Sequence, residues 1–227
     1  MHLADPVEVF PDCRLWLAYF DDESGDPVVS PEDALAEAKM SDRDQLRYQQ
    51  YRPAVKKRQF LNSRRAVRSV LQRELGDTAA HVQFDSDSQG CPILVSEQIG
   101  CLPQISLSHS GNAVAVAIST HAFPIGVDIE IVEPLRAEAL RQVAAHPHER
   151  AWCDQQTGRE SDALATLWTI KEAVWKTLHS GGEITMAEIS IEVHAGVLTS
   201  CVEHPAFKDA KFRTQLFVVE CDAVAPE

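Results

Sequence analysis

Long apolar runs are missing from this chain of 227 residues. Its strongest apolar stretch, residues 113–118, is far shorter than the ~20 residues that a membrane-spanning helix needs. The N-terminus has no basic segment followed by an apolar one, so we expect no secretory signal. These two absences predict a protein that is neither inserted into a membrane nor exported.

Paired cysteines are missing as well. The six cysteines are scattered, and no two of them form a Cys-x-x-Cys motif. In a chain of this size such a distribution is typical of reduced thiols, so we expect a cytoplasmic protein. His146, His148 and Cys153 could together ligate zinc, but a loop and helix start around Pro147 is the better interpretation.

Positive charge is scarce, since 21 Lys and Arg against 34 Asp and Glu give a net charge of −13. A chain of this sign argues against non-specific binding to nucleic acid or to anionic membranes, because its long-range field repels phosphate. Yet eight of the 21 basic residues lie between Arg52 and Arg73, in a segment without Asp or Glu. A solvated helix face normally mixes both signs, so this segment favours a phosphate-binding surface.

Secondary-structure patterns fall into two blocks with the same order. Strands are predicted at 7–10 and 15–19, a helix opens at Ser30, and a long helix covers about 58–75 and ends at Gly76. Short strands at 81–84, 104–108 and 112–119 follow, with a hairpin turn at 109–112. The second block begins near Ile125. Its predicted elements are a strand at 126–130, helices from about 133, 148 and 161–179, a helix stop at 181–182, and strands at 189–193, 197–202 and 212–220.

This order predicts an α+β fold. We expect a pseudo-dimer of two similar α+β halves, residues 1–121 and 122–227, each a long helix against a small, mostly antiparallel sheet.

Two carboxylates lie close together in Gly126-Val127-Asp128-Ile129-Glu130. A strand would place Asp128 and Glu130 on one face, where they repel each other by up to ~4 kcal/mol at ~4 Å and an effective dielectric of ~20. A hard divalent cation such as magnesium relieves this repulsion. An edge strand with a wet face explains the pattern equally well.

A tryptophan-rich helix forms the third pattern. Glu172 and Lys176 are an i,i+4 pair, and Trp168 and Trp175 lie seven residues apart on one helical face. A desolvated Glu172 could act as a base with a raised pKa, although core tryptophans and an ordinary ion pair explain the same spacing. Ser106–Gly111 lacks the Gly-x-Ser-x-Gly of a serine hydrolase, and its hydroxyls and imidazole better fit phosphate contact.

In this order the motifs resemble the 4′-phosphopantetheinyl transferase superfamily, in its larger single-chain surfactin-synthetase-activating type. The resemblance covers roughly residues 52–176, and the family's pseudo-dimer of two α+β halves agrees with the predicted fold. The motifs that carry it are Arg58-Gln59-Phe60-Leu61-Asn62-Ser63-Arg64 with Arg68, Gly90-Cys91-Pro92, Ser106-Leu107-Ser108-His109-Ser110-Gly111, Gly126-Val127-Asp128-Ile129-Glu130, and Trp168-Thr169-Ile170-Lys171-Glu172-Ala173 with Lys176.

The resemblance implies an enzyme that moves 4′-phosphopantetheine from coenzyme A to a serine of an acyl- or peptidyl-carrier protein. Magnesium would be the cofactor, coenzyme A the co-substrate and 3′,5′-ADP the second product. The expected partner is an acidic carrier protein bound transiently by a monomer, with no nucleic acid and no membrane involved.

The resemblance also implies residue roles. Asp128, Glu130 and Glu172 would bind magnesium, and Glu172 would be the base for the carrier serine. Lys176 would contact the pyrophosphate and neutralise or protonate the leaving phosphate. The catalytic set is therefore Asp128, Glu172 and Lys176. The residues expected to bind coenzyme A are Arg52, Arg58, Arg64, Arg68, Gly90, Pro92, Ser108, His109, Lys171 and Lys176.

Two features depart from the family pattern or strain the assignment. Cys91 stands where the family usually has a lysine that contacts coenzyme A, and the basic residues 52–57 align only loosely. A metal-bound Glu172 is also a weaker base, so a metal-bound water is an alternative. Other classes stay open: a coenzyme A- or nucleotide-binding regulatory module without turnover, and a metal-dependent phosphoesterase.

Overall fold

The computed structural model describes residues 1–20, 40–87, 90–120, 123–132, 141–178, 184–194, 197–207 and 210–218. The described strands are β1 (His2–Leu3), β2 (Val7–Phe10), β3 (Cys13–Tyr19), β4 (Gln83–Ser86), β5 (Pro92–Val95), β6 (Gln104–Ser110), β7 (Ala113–Ser119), β8 (Ile189–His194) and β9 (Val197–Val202). The described helices of nine or more residues are α1 (Asp42–Gln50), α2 (Ala54–Leu75), α3 (Pro147–Gln155) and α4 (Glu160–Leu178). None of the described helices is long and apolar enough to cross a membrane.

A five-stranded antiparallel sheet forms the N-terminal part. The strand order is β1-β3-β7-β6, and β2 also pairs with β3. The strands β6 and β7 are joined by two residues, because Ser110 pairs with Ala113 and Gly111 adopts a φ of +55°. The turn therefore has two residues and not the four that were predicted. His109 and Ser110 belong to β6, which extends the strand to the site described below.

The long helix α2 covers one face of this sheet. Its Ala66, Val67, Val70 and Leu71 are completely buried and belong to the core cluster that also holds residues of β3, β6 and β7. The helix ends at Gly76, as predicted. It begins four residues earlier than predicted, because the Lys57 amide already donates to the Pro53 carbonyl at 3.2 Å and so closes the first turn.

The C-terminal part packs α4 against the β8–β9 hairpin. Leu167, Ile189 and Ile191 are fully buried there, and α3 packs beside α4. The helix start at Pro147 is confirmed. His146, which the sequence offered as a possible zinc ligand, contacts the Ala187 carbonyl at 2.9 Å.

The structure confirms an α+β fold of small antiparallel sheets and helices. The described parts of the two halves are unequal, with a five-stranded sheet and a hairpin before residue 121 and one two-stranded sheet after residue 141. Two strand predictions are wrong. Residues 126–130 have no ladder partner among the described residues, and the described portion of the third predicted C-terminal strand, 212–218, is irregular. The predicted helices at Ser30 and near 133, and the stop at 181–182, lie outside the described residues.

Candidate functional site

Serine side chains hold residues 126–131 against strand β6. The Val127 amide donates to Ser106 Oγ and the Ile131 amide donates to Ser110 Oγ, both at 3.1 Å. Successive residues of a strand face opposite sides, so Ser106 and Ser110 share one face of β6. The segment is therefore extended but joined to the sheet through hydroxyl groups instead of a backbone ladder, which explains why its periodicity predicted a strand.

Gly126 brings this segment into direct contact with helix α4. A Cβ atom at Gly126 would lie 2.0 Å from the Ala173 carbonyl oxygen and 2.7 Å from the Thr177 backbone nitrogen. Only a residue without a side chain fits between these backbone atoms. This close approach places Asp128, two residues further on, within reach of the C-terminal turn of α4.

One lysine of α4 joins two carboxylates there. Lys176 Nζ lies 2.8 Å from Asp128 Oδ1 and 3.3 Å from Glu172 Oε1, and it donates to the Val127 carbonyl at 3.1 Å. Ser108 Oγ donates to the same Asp128 oxygen at 2.7 Å. The predicted catalytic trio of Asp128, Glu172 and Lys176 is therefore in mutual contact through the ammonium group.

Glu130 lies beside this trio with contacts of its own. Trp168 Nε1 donates to Glu130 Oε1 at 2.9 Å, and Ser110 Oγ donates to Glu130 Oε2 at 3.2 Å. Thus Trp168, which the sequence left as either core or site, orients a carboxylate. The indole also packs against the C-terminal core, so it serves both the fold and the candidate site.

Burial raises the pKa of Glu172, and the nearby carboxylates of Asp128 and Glu130 raise it further. The ammonium of Lys176 opposes this shift but does not cancel it. A carboxylate with a raised pKa is a stronger base once it is ionised. Glu172 therefore has the electrostatic environment of a proton acceptor.

A metal ion is implied by the resemblance, and the donor set can be compared with that expectation. Asp128 Oδ2 is buried without a hydrogen-bond partner, which is unusual for a carboxylate oxygen and fits a missing cation. Oxygen donors of this kind also match the preference of magnesium. Among the described residues, however, no three His, Cys, Asp or Glu side chains are grouped as ligands of one metal. The ammonium of Lys176 lies at the carboxylates instead.

A cavity of about 380 Å³ opens next to Lys176. Four cationic side chains line it, from Arg47, Lys56, Arg64 and Lys176, together with His109. Among the described residues that line it, none is Asp or Glu. The remaining lining residues are Tyr51, Gln59, Phe60, Ser63, Phe84, Ser86, Gly90, Cys91, Pro92, Ser106, Leu107 and Trp175. In a chain with a net charge of −13, a cavity with this lining is suited to an anion.

His109 lies among these cations. Burial lowers its pKa, and the charges of Lys56, Lys176 and Arg64 lower it further. The imidazole is therefore neutral at pH 7. Its Nδ1 atom is buried without a partner, as is Oε1 of Gln59, another lining residue.

The residues that were predicted to bind coenzyme A separate into two groups. Those that line the cavity are Arg64, Gly90, Pro92, His109 and Lys176. Those that do not are Arg52, Arg58, Arg68, Ser108 and Lys171. Ser108 contacts Asp128 instead, and Arg68 Nη1 donates to the carbonyls of Ala79 and Val82 at 2.7 and 3.1 Å.

Lys171 needs a correction. Its ammonium group is completely buried in the C-terminal core, where it lies 2.8 Å from Glu149 Oε2 and donates to the Val143 carbonyl at 2.9 Å. The other Glu149 oxygen accepts from the Ile191 amide at 2.9 Å. Because adjacent helical residues point in different directions, Glu172 faces the site while Lys171 faces the core. We therefore leave Lys171 out of the candidate site.

Two lining residues of particular interest were not predicted from the sequence. Arg47 lies on α1, a helix that the sequence did not predict, and its two terminal nitrogens lie 3.8 Å from the position of a Cβ atom at Gly90. It thus supplies a positive charge beside Gly90, the residue before Cys91, where the resemblance led us to expect a lysine. Trp175 lines the cavity next to Lys176. Its seven-residue spacing from Trp168 was the sequence feature that could have indicated its place in the site.

Comparison with known proteins agrees with this geometry. The profile of the 4′-phosphopantetheinyl transferase superfamily matches residues 124–220, which include Asp128, Glu130, Glu172 and Lys176. The Synechocystis protein slr0495, provisionally named a 4′-phosphopantetheinyl transferase, is 30% identical over 176 residues, 76% of this chain and 67% of its own. The 4′-phosphopantetheinyl transferase HetI of Nostoc is 30% identical over 162 residues, 68% of this chain and 67% of its own.

A more distant match is the 4′-phosphopantetheinyl transferase Sfp of Bacillus subtilis, 25% identical over 133 residues, 56% of this chain and 55% of Sfp. The chain belongs to the 4′-phosphopantetheinyl transferase superfamily. The family and the transferase class that the motifs predicted are thereby confirmed.

Proposed function

We propose that this protein transfers 4′-phosphopantetheine from coenzyme A to a serine of an acyl- or peptidyl-carrier protein, releasing 3′,5′-ADP. The observation that carries the proposal is the position of the Asp128–Lys176–Glu172 trio next to the cation-lined cavity, with Lys176 common to both. An anion held in the cavity would thus lie beside a candidate base and a cation.

The cavity would hold the nucleotide end of coenzyme A. Phosphate groups require positive charge and N–H donors, which Arg47, Lys56 and Arg64 supply. A neutral His109 would add a hydrogen bond without repelling these neighbours. The aromatic side chains of Tyr51 and Trp175 in the lining offer flat apolar surface to the organic part of the ligand.

Transfer would take place at the mouth of the cavity, beside Lys176. The carrier serine oxygen would attack the pyrophosphate phosphorus that bears the pantetheine arm. A new serine oxygen–phosphorus bond forms and the bond to the leaving 3′,5′-ADP breaks. Glu172 would accept the hydroxyl proton, while the Lys176 ammonium stabilises the charge on the leaving phosphate.

Magnesium would be held by Asp128, Glu130 and Glu172. When bound, it would neutralise charge that develops on the phosphoryl oxygens. The unpartnered Oδ2 of Asp128 supports this assignment. The ion would compete with Lys176 for the same carboxylates, and its ligation would make Glu172 a weaker base, so a metal-bound water is the alternative base.

A mass measurement tests this function. The purified protein, coenzyme A and magnesium are incubated with apo carrier proteins from fatty-acid and peptide synthesis under one condition. At least one carrier should gain the mass of a phosphopantetheine group on its serine. Absence of any gain across the panel, with coenzyme A binding intact, would favour a regulatory module without turnover. Hydrolysis of coenzyme A without a carrier would favour a phosphoesterase.

We further propose two pseudo-symmetric halves, residues 1–121 and 122–227, in a cytoplasmic monomer. One core cluster draws its buried residues from positions 16–118 and a second one from positions 143–202, which supports the division. The five cysteines in the described part of the chain are free thiols, which supports a reducing compartment.

A further inference from the structure

A buried ion pair forms part of the cavity wall. Arg64, on α2, approaches Asp44, on α1, with its Nε 2.7 Å from Oδ2 and its Nη2 2.9 Å from Oδ1. Asp44 is fully buried and Arg64 is 7% exposed. This two-point contact fixes the plane of the guanidinium group, since each of two nitrogens meets its own oxygen.

Two aromatic rings hold the same guanidinium group. Its central carbon lies 3.9 Å from the ring centroid of Phe60 and 4.9 Å from that of Phe84. Both rings also line the cavity. The orientation of Arg64 is therefore fixed by the carboxylate and the rings together, which is more than charge neutralisation requires.

Asp44 is itself held in place. Its backbone amide donates at 3.1 Å to Ser41 Oγ, the N-cap of α1, and that hydroxyl donates at 2.9 Å to Asp85 Oδ1. Asp85 lies on β4, in the hairpin that also carries the cavity residues Phe84 and Ser86. The start of α1 is thus tied to the cavity wall, and Asp44 is placed before it meets Arg64.

An arginine side chain has five N–H donors, and Asp44 engages two of them. We infer that Asp44 is a positioning residue, which holds Arg64 so that its remaining N–H donors bind a phosphate group in the cavity. The inference rests on the proposed function, because the phosphate is taken to be that of coenzyme A.

Two possible roles of Asp44 predict effects of opposite sign. If Asp44 only neutralised Arg64, its replacement by asparagine would leave more positive charge at the cavity and tighten phosphate binding. If it positions Arg64, the same replacement frees the guanidinium to turn and weakens binding. The sign of the change therefore separates the two roles, which a loss of stability alone would not.

The test uses calorimetry with adenosine 3′,5′-bisphosphate as the probe. We expect Asp44→Asn to raise the Kd about tenfold, the size of one lost charge-assisted contact. Arg64→Lys keeps the charge but lacks the fork, so it should weaken binding by a similar factor. Asp42→Asn is the matched control, since it removes the same charge from the same helix at an exposed position.

A double variant completes the test. In an Arg64→Ala background, Asp44→Asn should not weaken binding any further, because Asp44 supports binding only through Arg64. A wild-type protein that does not bind the probe overturns the proposed function itself. If the wild type binds and Asp44→Asn binds equally well or more tightly, only the positioning role is refuted. If Asp44→Asn does not fold, the Arg64→Lys variant decides: binding of the probe with the wild-type Kd would refute the positioning role.

Discussion

Replacing Gly126 by alanine is the most demanding test of how the site is assembled. The new methyl group would lie 2.0 Å from the Ala173 carbonyl oxygen, 2.5 Å from Thr177 Oγ1 and 2.7 Å from the Thr177 backbone nitrogen. Two of these atoms belong to the helix backbone and cannot rotate away. The segment must therefore move by about 1.4 Å to reach 3.4 Å, the near edge of ordinary contact.

That displacement is large compared with the contacts that it disturbs. The Asp128–Lys176 distance is 2.8 Å, and a shift of about 1 Å ends a good hydrogen bond between them. A misplacement of ~1 Å at a reacting group costs on the order of 100-fold in rate, and overpacking costs ~1–3 kcal/mol in the free energy of unfolding. We therefore expect Gly126→Ala to lower kcat by about 100-fold while the protein still folds.

The assay is the rate of carrier-protein modification at saturating coenzyme A, with urea unfolding measured in parallel. Gly100→Ala is the matched control, because a Cβ at Gly100 meets no atom within 4 Å and Gly100 does not have a positive φ. If Gly126→Ala has the wild-type kcat and stability, the close approach of Gly126 to α4 does not assemble the site, and the reasoning from this contact is refuted.

Three further outcomes are expected. Asp128→Asn should abolish magnesium-dependent transfer but leave the thermal unfolding temperature within a few degrees of wild type; activity that persists at ordinary magnesium concentration would contradict the metal assignment. In the magnesium-free protein, the Glu172 carboxyl should titrate above the usual range of a glutamate, since burial raises its pKa, and an NMR titration without this shift would contradict the electrostatic environment assigned to Glu172. Lys171→Met should cost ~3–5 kcal/mol in urea unfolding, because it leaves Glu149 buried without its partner, yet the KM for coenzyme A should not change.

Local patterns predicted much of the fold. The stop at Gly76, the strands of the β6–β7 hairpin and the extent of α4 each depend on residues that are neighbours in sequence, so periodicity and capping were sufficient. The prediction of a strand at 126–130 failed for a physical reason. Alternation of apolar and acidic residues indicates an extended backbone with two faces, but serine hydroxyls of β6, not a strand partner, accept from its backbone amides.

The site was predictable where it depends on one helix and not where it depends on packing. The Glu172–Lys176 contact follows from i,i+4 spacing, whereas the direction of Lys171 depends on Glu149, 22 residues away. In the same way, Arg68 was expected at a phosphate but bonds to the carbonyls of Ala79 and Val82. A run of basic residues does not reveal which of its members turn inward.

Charge segregation explains how an acidic protein offers an anion site. Among the described residues, the cavity lining gathers cations without an Asp or Glu, while Asp128 and Glu172 both contact Lys176. Lys176 belongs to both groups, because it pairs with Asp128 and Glu172 and also lines the cavity, whereas Arg64 already has Asp44 as its partner. A ligand that brings phosphate to the cavity and a divalent cation to the carboxylates would satisfy both at once. Substrate and metal should therefore bind cooperatively, and magnesium should lower the Kd for coenzyme A in wild type but not in Asp128→Asn.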